Sequence, residues 1–172
     1  MKKMISMLLA LVMVLSLAAC GANNAPAATE APTEAAKHVD GTMEELVNKI
    51  IEIQPVEFMG MTMPVDLADV DAVKYFTGLD SAEGVKEAAV FEPMIGSIAF
   101  SMVAVQVEEG ADAAAVAEAM KSGIDTRKWI CVEANDLMVV NAGNVVLLVM
   151  VDSNNGLTAQ SFVDAFLSIV VE

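Results

Sequence analysis

From Ile98 to Val107 the chain is largely apolar at both alternations, with Ile98, Phe100 and Met102 on one side of an extended segment and Val103, Val105 and Val107 on the other. Successive side chains of a strand point to opposite faces, so a strand with this pattern has to be covered on both. That makes it a central strand and calls for a layered fold. Its neighbour Val85 to Glu92 reads as a second strand, and Pro93 and Gly96 supply the turn of a hairpin between the two.

Around this pair the periodicity alternates between helical and strand-like. Thr42 and Glu45 have capping-box spacing, and Met43, Leu46, Val47, Ile50 and Ile51 follow as one apolar stripe. Gln54 to Met63 reads as extended, bracketed by Pro55 and Pro64. Asp66 with Asp69 opens a second predicted helix, which carries Leu67, Val70, Val73 and Phe76 and stops near Gly78. Asp112 caps a third, with the stripe Ala113, Val116, Ala117 and Met120, ended by Gly123. Trp129 to Glu133, Leu137 to Val140 and Val145 to Val151 read as strands, the last two joined through Asn141-Ala142-Gly143-Asn144. Thr158 starts a terminal helix with Phe162, Val163, Phe166, Leu167 and Val170 facing inward. The expected class is α+β, a mostly antiparallel sheet covered by helices in a single domain.

The N-terminal segment has a different character. Lys2 and Lys3 precede an apolar run from Met4 to Leu17, too short for a comfortable membrane span and suited to the core of a signal peptide. The run ends at Leu17-Ala18-Ala19-Cys20, a tetrad that resembles the lipobox of bacterial lipoproteins, with Gly21 after it. The resemblance implies a signal peptide over 1–19 and diacylglyceryl transfer to Cys20. Two acyl chains are the number needed for a stable anchor. The expected location is the extracytoplasmic face of the cell membrane, in the cell envelope. Residues 20–38 hold the lipidated cysteine and a run of Ala, Pro, Thr and Glu without large apolar side chains, which reads as a disordered tether. Residues 39–172 are the predicted globular domain, long enough to bury roughly two thirds of its unfolded surface.

Removal of residues 1–19 takes away two of the nine basic residues and none of the 24 acidic ones, which leaves a net charge near −17. Such a surface repels phosphate backbones and anionic headgroups, so nucleic acid and a basic membrane-docking patch are disfavoured. Cations and basic partners remain open.

The segment Arg127-Lys128-Trp129-Ile130-Cys131-Val132-Glu133-Ala134, the strand Gly143-Asn144-Val145-Val146-Leu147-Leu148 and the helix after it together resemble the lipoprotein family named domain of unknown function 4358. The resemblance runs from about Met43 to the C-terminus. The segment before Trp129 is shorter than in many relatives. The family has no established activity, so the resemblance implies an order of elements and an anchored domain, and assigns no site.

Chemistry is sparsely represented. The single histidine, His38, falls in the tether, which argues against a Ser-His-Asp or Cys-His hydrolase. HExxH, phosphate-loop and dinucleotide-binding patterns are missing, and with 24 acidic residues a chance pair of carboxylates carries no weight. With Cys20 assigned to lipid, Cys131 has no partner, and a lone thiol in an apolar strand is expected to be buried. Asp66, Asp69 and Asp71 lack the ligand spacing of a calcium loop, and capping explains two of them.

Two features stand out. Met59, Met61 and Met63 alternate on an extended segment, so their thioethers share a face and suit Cu(I). Against that, the chain has 13 methionines, and methionine commonly fills irregular core gaps. Arg127, Lys128 and Trp129 form the one basic and aromatic spot on an acidic chain, able to contact an anionic ligand or a partner; the plainer expectation is a core tryptophan with two charges bordering a strand. The sequence therefore points to a noncatalytic envelope lipoprotein that binds or scaffolds another component without a resident cofactor, with a Cu(I) binder as the alternative.

Overall fold

The computed structural model describes residues 39 and 41–170. The predicted signal peptide, Cys20 and the tether with His38 lie outside the described residues. The elements run α1 (Met43–Ile53), β1 (Gly60–Pro64), α2 (Val70–Thr77), β2 (Val85–Pro93), β3 (Phe100–Val107), α3 (Ala113–Gly123), β4 (Asp136–Ala142), β5 (Val145–Val151), a single 3-10 turn and α4 (Ala159–Val170). The five strands form one sheet in the order β1-β2-β3-β5-β4, and every neighbouring pair is antiparallel. The α+β class is thus observed, with β3 at the centre.

Both faces of the sheet are covered. Phe100, Met102 and Ala104 of β3 and Val145, Leu147, Val149 and Val151 of β5 pack against Met43, Val47 and Ile50 of α1 and Phe162, Val163 and Phe166 of α4. The alternate residues Val103, Val105, Val107, Val146, Leu148 and Met150 pack against Val73 of α2 and Ala117 and Met120 of α3. Each fully buried Leu, Val or Phe contributes about 1.5–3 kcal/mol relative to exposure. The doubly apolar pattern of β3 follows from this arrangement, and so does that of β5.

Local chemistry sets the ends. The Thr42 side chain accepts from Glu45 N–H while Glu45 accepts from Thr42 N–H, a complete capping box. Asp69, not Asp66, caps α2, and Gly78 ends it in the left-handed conformation at φ 79°. Asp112 caps α3 by accepting from Ala114 and Ala115 N–H. The β5 strand has the expected bounds, but β4 is longer than expected, so the turn shrinks to Gly143-Asn144, with Gly143 at φ 56° as tight hairpins require.

Four expectations need correction. Residues 54–59 are irregular and only Gly60–Pro64 is a strand, because pairing with β2 begins at Gly60 opposite Pro93. Val70, the first residue of α2, is exposed instead of facing the core. Trp129 to Glu133 is not a strand but an irregular loop, and Cys131 within it is exposed instead of buried. Leu167 is also exposed, one position outside the stripe made by Phe162, Val163, Phe166 and Val170.

Candidate functional site

The loop between α3 and β4 folds back over one end of the sheet. Its ends are drawn together where Ala134 N–H donates to Thr126 O at 2.9 Å, and Arg127 N–H donates to Asp125 Oδ1 at 2.8 Å. Lys128 projects inward from this loop onto the face shared by α2 and α3. Its side chain is only 3% exposed, and Nζ lies 2.6 Å from Glu92 Oε1 on β2, itself 14% exposed. Nζ also donates to Ser101 Oγ at 3.2 Å and to Tyr75 O at 3.4 Å. The rings of Tyr75, Phe76 and Trp129 surround it with centroids 4.5, 5.2 and 5.5 Å away. Cation–π contacts of this kind contribute about 0.5–2 kcal/mol each, more as water is excluded.

Burial is the main influence on this ammonium and holds its pKa below the usual lysine value, against the opposing pull of Glu92 and Asp125. Burial, and then the Glu92 carboxylate, raise the Tyr75 phenol. The three residues singled out as a basic and aromatic spot therefore part company. Lys128 is consumed internally and Trp129 is half-buried against the sheet. Arg127 faces solvent, where Nε meets Glu133 Oε2 at 3.2 Å in an exposed pair of little energetic weight.

The methionines are also divided. Met63 packs against the cluster containing Val65 and Val73. Met59 and Met61 are exposed, Met59 at 77%. Beside them Met94 N–H donates to Met59 O at 3.0 Å, which brings a fourth methionine, 63% exposed, onto the same corner. Sequence reasoning had no access to Met94 as a neighbour, because only the strand register reveals it.

Six of the nine large apolar side chains exposed among the described residues belong to this end of the molecule: Met59, Met61, Tyr75, Met94, Ile95 and Ile130, the last 98% exposed at the tip of the loop. On the α1/α4 side of the same end is an open cleft of about 490 Å3, bordered by Glu57, Phe58, Ile98, Asp152, Asn155 and Leu157. Asp152 is already occupied there, accepting from Asn154 N–H and from the side-chain amides of Asn135 and Asn154. Among the described residues no three His, Cys, Asp or Glu side chains are grouped to hold a metal, and no helix is long and apolar enough to cross a membrane.

No family model, no curated protein and no solved structure matches the chain. The site is accordingly read from its own geometry.

Proposed function

We propose that the chain is a lipid-anchored envelope protein, held through diacylglyceryl-Cys20, whose domain binds or scaffolds a protein partner without catalysing a reaction. The resemblance to the domain of unknown function 4358 lipoproteins belongs to the same reading. One observation carries it: exposed apolar side chains gather at one end of the sheet, where Met94, Ile95 and Ile130 stand clear of the core beside the partly exposed Tyr75. Contiguous apolar surface with methionine and aromatic residues is characteristic of protein-binding surfaces. The buried Lys128–Glu92 pair stiffens the loop beneath it.

The test is a photocrosslinking residue at Ile95 or Ile130 in the full chain, irradiated in intact cells. A discrete protein adduct is expected from these positions and none from Lys121 on the exposed side of α3. Ile130→Glu should remove the adduct formed from position 95 while leaving the thermal midpoint unchanged. Repeated failure to form an adduct, or an adduct indifferent to the charge at 130, sinks the reading.

A further inference from the structure

We propose that Met59, Met61 and Met94 form a three-thioether Cu(I) site on the open corner of the β1–β2 ladder. Gly60 pairs with Pro93 and Met61 with Glu92, and just beyond the ladder Met94 N–H donates to Met59 O, which holds Met59 beside Met94. Strand alternation puts Met61 on the face that bears Met63 and Val90, and Met59 and Met94 stand exposed at the open end of the same two strands. The intervening Gly60 faces the other way, lying against the Phe91 ring. Opposed Cβ atoms in such a ladder are about 4.5–5.5 Å apart, and alternate residues along a strand are separated by about 6.6 Å. Three unbranched side chains with three rotors each can converge on one ion from those positions.

Availability separates these three from Met63. Met63 already packs beneath α2, whereas Met59, Met61 and Met94 give up no core contact by turning their sulfurs together. Thioethers are soft, neutral donors that favour Cu(I) over the harder divalent ions. They release no proton on binding, so their affinity has no pH dependence of its own, unlike that of thiolate or imidazole sites. Lys128 is neutralised by Glu92, the strand partner of Met61, and does not repel the metal.

The proposal does not rest on the docking surface, and the two fail separately. Leucine in place of methionine keeps the apolar surface but removes the donors, while Ile130→Glu spoils the surface but leaves the sulfurs. The experiment is a titration of the full chain, with Cys20→Ser and Cys131→Ser so that neither thiol competes, against a chromophoric Cu(I) chelator under reducing conditions. One Cu(I) per chain is expected, with sulfur-only coordination by X-ray absorption and an affinity that is flat between about pH 5 and 8, where imidazole would titrate. Met59→Leu, Met61→Leu and Met94→Leu together should weaken binding roughly tenfold or more, since every donor is gone. Met63→Leu should have no effect. The site is overturned by absence of binding, by unchanged affinity in the triple variant, by equal loss in Met63→Leu, or by an affinity that climbs with pH.

Discussion

Lys128 Nζ stands 2.6 Å from Glu92 Oε1, an ion pair closed in by the rings of Tyr75, Phe76 and Trp129. A buried ion pair is costly to break by halves, because the surviving charge keeps its desolvation penalty. Lys128→Ala is expected to destabilise the domain by about 3–5 kcal/mol. Lys128→Met combined with Glu92→Leu should recover most of that loss, measured by guanidinium denaturation. Equal destabilisation in the single and double variants would show that loop packing, not the stranded carboxylate, dominates.

The same ammonium gives the stability a pH dependence. Folding lowers the Lys128 pKa, so unfolding returns the amine to water, where it holds its proton more firmly. Below the ordinary lysine value of about 10.4 the unfolded chain therefore binds more protons, and stability rises with pH across the window down to the lowered folded value. Tyr75 acts oppositely: its folded pKa is raised, so its contribution is lost as pH climbs past the ordinary phenol value of about 10. Denaturation midpoints of the wild type should pass through an alkaline maximum. In the Lys128→Met, Glu92→Leu variant the rising limb should vanish.

Gly60 tests the β1–β2 corner from the other face. A Cβ there would run into the Phe91 ring, which itself packs against Phe58 and Phe100 with centroids 6.2 and 5.9 Å away. Gly60→Ala should force that ring to move and cost about 1–3 kcal/mol in thermal unfolding. Gly96, which has open space around it, serves as the control.

Lipid attachment has its own test. Cys20→Ser should move the protein from the membrane fraction to the soluble fraction and abolish incorporation of labelled fatty acid. A chain still held on membranes after that change would require another anchor.

The sequence carried local information well. Thr42 and Glu45, Asp112 and Gly78 marked helix ends because capping is settled by residues within one turn. The double alternation in β3 identified the centre of the sheet because burial on both faces leaves only Ser101 and Gln106 as polar positions among its eight residues. Residues 129–133 misled because the pattern Trp-Ile-Cys-Val has strand-like propensity, whereas the loop is organised by tertiary contacts of Lys128 with Glu92, Ser101 and Tyr75. The methionine cluster was half legible: alternation put Met59 and Met61 together, but Met94 joins them through β1–β2 register, which no local pattern encodes.

The strand order has a consequence for how the domain assembles. The β2–β3 and β4–β5 hairpins close through short turns, whereas β3 and β5 meet only after the chain has passed through α3 and β4. Formation of that central seam is the slow, non-local step. Until it closes, β5 presents Val-Val-Leu-Leu-Val-Met-Val without a single charge, a segment of the kind that pairs with copies of itself. Asp152, immediately after it, stands as a gatekeeper against that encounter, before it settles into its native role of holding the 3-10 turn.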